Sequence, residues 1–81
     1  MRVPRNIVGP TIRKLREKQV LTQAMLAAKL NLDGWDISRE TVAKIESQVR
    51  WVSDFELVHL ARALKTSPEQ LLGGKMPAAQ A

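Results

Sequence analysis

Eighty-one residues without a cysteine exclude a second catalytic domain, a disulfide framework and a thiolate metal site, and leave the packing of one modest core as the source of stability. Thirteen Lys and Arg against eight Asp and Glu give a net charge of +5, which favours polyanionic partners such as nucleic acid but also fits a solvated basic surface. No apolar run approaches the roughly 20 residues that span a bilayer, and MRVPRNIVGP lacks the apolar centre of a secretion signal, so the expected setting is soluble and cytoplasmic with no membrane partner.

Taken in chain order, residues 1–6 read as a basic N-terminal arm, 7–73 as one domain and 74–81 as a flexible tail. Every patterned segment has helical rather than alternating periodicity, so the expected class is all-α. Pro10 suits the first turn of a helix whose apolar stripe holds Ile12 and Leu15, and Arg16, Glu17 and Lys18 end it. Thr22 caps a second helix, QAMLAAKL, with Leu26, Ala27 and Leu30 on one face and Asn31 as its left-handed exit residue. Asp33-Gly34 signals a turn, and Trp35 is expected to fold back onto the core.

Ser38 then caps a third helix. After the connector SQVRWV, Ser53 and Glu56 have the spacing of a capping box, in which hydroxyl and carboxylate satisfy each other's orphan amides. The fourth helix carries Leu57, Leu60, Ala61 and Leu64. Ser67 and Gln70 form a second box around Pro68, starting a short fifth helix with Leu71 and Leu72 that Gly73-Gly74 stops.

Chemistry of the enzymatic kind has little to stand on. His59 is the single near-neutral base, and no carboxylate pair, glycine-rich phosphate loop or metal-ligand spacing accompanies it. Neither catalysis nor a cofactor nor a metal is expected; His59 reads as a partly exposed helical histidine and Met25 as core filler.

The second and third helices carry a more specific pattern. Gln23 opens the second, and Ala27, one turn on, is small enough for another helix to cross closely. Leu30, Ile37, Val42 and Ile45 supply the remaining buried positions. Two short helices locked by one small core leave the outer face of the second free to enter a major groove, about 12 Å wide and able to admit one helix. The alternative is that this face is plain solvated surface.

With IRKLREKQVL before it and DFELVHLARALKTSPEQLL after it, TQAMLAAKL...ISRETVAKIES resembles the XRE or Cro/cI-type helix-turn-helix domains of bacterial and phage repressors, over roughly residues 7–72. The resemblance implies a lambda-repressor-like bundle of five helices, binding double-stranded DNA as a transcriptional regulator with residues 38–47 as recognition helix. It implies that Arg39, Glu40 and Lys44, with Thr41 beside them, face base edges, while Gln23 and Ser38 touch phosphates and Ser47, Gln48 and Arg50 follow with backbone contacts. The chemistry agrees: Arg grips guanine O6 and N7 with two hydrogen bonds, Glu accepts from cytosine N4, and Lys donates to guanine or phosphate.

The resemblance also implies a partly buried ion pair between Arg16 and Glu46 that orients helices, and a homodimer on a two-fold site, for which the fifth helix with Leu71, Leu72 and Met76 is the candidate interface. Two departures stand out. The turn between the second and third helices is lengthened by LDGWD, and Gln48 replaces the glycine usual after the third helix, so that helix either runs on or ends in a strained left-handed residue. Trp35 and Trp51 are expected to anchor these irregular segments in the core. Two rivals share the fold: an antitoxin that also clasps a toxin, and a protein-interaction adaptor without DNA binding, which would show an apolar patch where Arg39, Lys44 and Arg50 stand.

Overall fold

The computed structural model describes residues 3–73. Five helices follow one another: α1 (Gly9–Lys18), α2 (Gln23–Leu32), α3 (Arg39–Glu46), α4 (Asp54–Ala63) and α5 (Pro68–Leu71), with no strand among the described residues. The starts are local chemistry. Thr22, Ser38, Ser53 and Ser67 each take extended backbone and accept the amide three residues on with the side-chain hydroxyl, satisfying one of the orphan N–H groups of a helix start. At Ser53 the box closes, because Glu56 returns a carboxylate oxygen to the Ser53 amide at 3.1 Å. At Ser67 only half of the expected box forms; the Gln70 side-chain carbonyl accepts from the Thr66 hydroxyl instead.

The stops share one device. After α1, α2, α3 and α4 the residue beyond the C-cap has positive φ, and paired amides return to carbonyls of the last turn, as from Leu21 to Arg16 and from Val49 to Lys44, the hydrogen-bond pattern of a Schellman motif. Only α2 uses glycine there, Gly34 at φ +94; the others use Val20, Gln48 and Lys65. The expected left-handed exit at Asn31 is thus corrected: α2 runs on through Leu32, and Asn31 stays helical with its amide donating to the carbonyls of Trp35 and Ile37. A β-branched residue at φ +59 is the least comfortable of these exits, and Val20 is 83% exposed. Val20→Gly relieves that strain without losing buried surface and is expected to stabilise by about 0.5–1 kcal/mol, read as a higher urea midpoint at unchanged slope.

Packing follows the periodicity. Ile12 from α1, Leu26, Ala27 and Leu30 from α2, Val42 and Ile45 from α3, and Leu60, Ala61 and Leu64 from the α4 region close one core, with Val8, Ile37 and Leu71 sealing its edges. α3 lies against both α1 and α2, α2 against α4, and α4 against α5. Three apolar residues depart from expectation. Met25 is half exposed, its sulfur 3.5 Å from the Thr22 amide at the helix start rather than in the core. Trp51 is 68% exposed, beside Val3, Arg5 and Val49 around a shallow groove of about 720 Å³, while Trp35 packs half-buried on the core. Leu71, placed by the sequence in a candidate dimer face, is fully buried and unavailable to one; Met76 and the tail, residues 74–81, lie outside the described residues.

Candidate functional site

The outer face of α3 is built by the same residues that bury its inner face. Val42 and Ile45 are in the core, and Glu46 is 7% exposed. At helical spacing this turns Arg39, Glu40 and Lys44 to solvent and leaves Thr41 half exposed. Arg39 Nε lies 3.2 Å from Glu40 Oε2, both side chains about two-thirds exposed, so the contact leaves both groups free to exchange partners. The Glu40 carboxyl is held below its ordinary range by a backbone amide first and by Arg39 second. Ser38 Oγ accepts the Thr41 amide at 3.2 Å, and the two hydroxyls lie 3.2 Å apart. Ser47 closes the other end, its hydroxyl donating to the Lys44 carbonyl.

Behind this face the expected pair is in contact. Arg16 Nε and Nη2 donate to the two Glu46 carboxylate oxygens at 2.6 and 3.1 Å, and Nη1 donates to the Leu21 carbonyl at 2.7 Å. The Glu46 carboxylate, acting against the desolvation of burial, raises the Arg16 pKa. Gln23 joins the pair by donating from Nε2 to Glu46 Oε1 at 3.1 Å. Of its two amide N–H groups one is thereby occupied and one remains. α1, α2 and α3 meet at this one carboxylate.

Gln48 and Arg50 are both held internally. Gln48 sits at φ +66 and donates from its amide to the Asn6 carbonyl at 2.9 Å, while its own carbonyl accepts from the Arg5 amide at 2.9 Å. Arg50 makes a two-pronged contact with Glu56, at 2.9 and 3.1 Å, donates to the Trp51 carbonyl, and has its guanidinium carbon 5.8 Å from the Trp35 ring centre. That contact lowers the Glu56 pKa and raises that of Arg50.

Several supporting residues escaped the sequence reading. Asn6 donates to the carbonyls of Ile45 and Arg50 at 3.0 and 2.9 Å and accepts the Gly9 amide at 2.8 Å, lashing the N-terminal segment to the end of α3. Its signal was an Asn ahead of Gly-Pro, a residue type that bonds nearby backbone. Gln19 reaches the Leu64 carbonyl at 2.8 Å. Asp33, His59 and Arg62 meet across 26 and 29 residues, a contact that no local spacing signals. No buried side-chain nitrogen or oxygen lacks a partner among the described residues, and no cluster of His, Cys, Asp or Glu among them fits a metal ion. No described helix is long and apolar enough to cross a membrane.

Comparison with known proteins bears on what this arrangement is. A family model described as helix-turn-helix matches residues 12–71. The chain is similar in structure to the P22 c2 repressor protein in complex with a synthetic operator, at 27% identity and a TM-score of 0.71 over 86% of this chain and 98% of that one. It is similar to the restriction-modification controller protein C.AhdI from Aeromonas hydrophila, at 31% identity and a TM-score of 0.69 over 79% and 86%. The clp gene regulator ClgR from C. glutamicum shares the fold at 21% identity and a TM-score of 0.74, over 96% and 99%. The search against curated proteins gave no match.

Proposed function

The chain belongs to the helix-turn-helix family, shown by the match over residues 12–71, and from that membership we propose that it binds double-stranded DNA as a transcriptional regulator, a repressor that lays α3 in the major groove. The observation that carries the reading is the division of α3 itself: one side locked into the core by Val42 and Ile45, the other presenting Arg39, Glu40, Thr41 and Lys44 on a rigid, capped helix. A groove-reading helix needs this combination, because base discrimination depends on donors and acceptors held in register. The operator-bound P22 c2 repressor, similar in fold and at 27% identity, supports the same use. A polar outer face argues against the adaptor, which would expose an apolar patch there.

Roles divide by position. Arg39 and Glu40 stand in the first turn of α3, the end that goes deepest, and read base edges with Lys44 and Thr41. Ser38, Ser47 and the free amide hydrogen of Gln23 meet phosphates. Gln48 and Arg50 approach the backbone with donors left over from Asn6 and Glu56. Arg16 and Glu46 hold the helices and touch no DNA. The protein acts in the cytoplasm, as a homodimer on a two-fold operator, with no catalytic step of its own.

Selecting bound sequences from a random duplex pool tests this directly. The wild type is expected to enrich a defined site. Arg39→Ala is expected to lose preference at one base pair and about 1–3 kcal/mol on the best duplex, whereas Gln23→Ala weakens all duplexes alike. An Arg39→Ala protein that selects the same site with the same affinity places the reading face elsewhere.

A further inference from the structure

The segment joining α2 to α3, residues 33–38, is longer than a tight turn and cannot by its own stiffness fix the direction of the helix that follows, since each added residue contributes two rotatable bonds. Asn31 ties the segment's Trp35 and Ile37 carbonyls to α2 and Ile37 is buried in the core, and α4 adds a separate hold at its acidic start. Asp33 Oδ2 accepts from His59 Nδ1 at 2.6 Å and from Arg62 Nε and Nη2 at 3.1 and 3.0 Å, all from α4. Trp35 lies half-buried with its ring centre 5.9 Å from that of His59, the planes inclined by 41°. The guanidinium of Arg50 stands on the same indole. His59 thus touches the acidic start and the aromatic middle of the segment at once.

We infer that His59 is a positioning residue for DNA reading: by holding Asp33 against α4 it sets the angle at which α3 meets the groove, and so which base pairs Arg39 and Lys44 reach. This rests on the reading of α3 as the recognition helix. Asp33, His59 and Arg62 are each at least a quarter exposed, where polar contacts add little to stability whether or not they are charged. Loosening the clamp therefore frees the turn more than it unfolds the domain. The consequence falls on discrimination between sequences, which needs a fixed angle, and spares the affinity for phosphates, which does not.

The test compares the wild type with His59→Ala and His59→Asn, the latter placing an amide donor near the position of Nδ1. The probes are the duplex that the wild type selects from a random pool and the same duplex with its central base pairs scrambled. For His59→Ala the ratio of the two affinities is expected to fall about tenfold while binding to the scrambled duplex is unchanged, and His59→Asn is expected to recover most of the loss. If His59→Ala does not fold at the assay temperature, Asp33→Asn weakens the same anchor and carries the same expectation. An unchanged ratio in the folded variant overturns the inference, as does an equal loss on both duplexes or a failure of His59→Asn to recover. A wild type that binds both duplexes alike overturns the reading of α3 itself, a failure visible before any variant is made.

Discussion

Arg16→Ala is expected to destabilise the domain by about 3–5 kcal/mol, and Glu46→Ala by a similar amount, in urea unfolding monitored by circular dichroism. The reason lies in what each truncation leaves behind. Arg16 and Glu46 are 9% and 7% exposed, and in the native protein each guanidinium nitrogen and each carboxylate oxygen has a partner: two guanidinium bonds to the carboxylate, one to the Leu21 carbonyl, and one to the carboxylate from Gln23. Removing the arginine leaves a buried carboxylate with Gln23 as its remaining side-chain donor. Removing the glutamate leaves a buried guanidinium on one carbonyl. In a cycle the double alanine variant is expected to cost clearly less than the sum of the singles, because the second truncation removes the orphan that the first created. The apolar pair Arg16→Met with Glu46→Leu is expected to recover part of the loss but not all, since the Leu21 carbonyl and the Gln23 amide lose a partner. Absence of coupling in the cycle would mean that the two charges are solvated independently. Because Glu46 ends α3 and Arg16 and Gln23 belong to α1 and α2, the ion pair ties three helices together at one carboxylate.

What the sequence made legible was chiefly local. Thr22, Ser38, Ser53 and Ser67 marked the helix starts because a hydroxyl satisfying an amide three residues on is a short-range event with a short-range signature. Val42 and Ile45 marked the inner face of α3, and hence the outer one, through helical spacing. The Arg16–Glu46 contact came instead from the resemblance, since nothing in either residue's neighbourhood points thirty positions along the chain. Two of the differences share a cause. Met25 and Trp51 read as interior because they are apolar, yet a domain this small lacks the polar surface to hide every apolar residue. Leu71 reads as part of a candidate partner face and instead closes the core. Asn31 reads as the left-handed exit that Gly34 takes; its amide side chain bonds the backbone of the turn, a role that the same residue type signals equally well. Distant polar ties, Asn6 to Ile45 and Asp33 to His59, depend on the finished packing and leave no periodic trace.

Gly9→Ala is expected to cost about 3 kcal/mol and to lower the melting temperature by roughly 10–20 °C. This runs against helix propensity, which favours alanine over glycine. A Cβ on residue 9 would lie 2.4 Å from the Ile45 carbonyl oxygen and 2.8 Å from that of Glu46. Both obstacles are backbone atoms in the last turn of α3, which no rotamer change can move aside. Relief requires α1 to shift away from α3, and the same neighbourhood holds the Asn6 side chain, bonded to the Gly9 amide and to the Ile45 carbonyl. Displacement therefore strains those bonds as well as the packing of Val8 and Ile12. Gly34→Ala provides the contrast: it meets nothing within 4 Å but must hold φ at +94, so its expected cost of about 1–2 kcal/mol is conformational alone. If the two alanine variants melt together, close approach of α1 to α3 is not what residue 9 provides. If Gly9→Ala is much the worse, the surviving folded fraction is expected to bind the selected duplex more weakly as well, because the Ile45 and Glu46 carbonyls it displaces belong to α3, the helix proposed to read the groove.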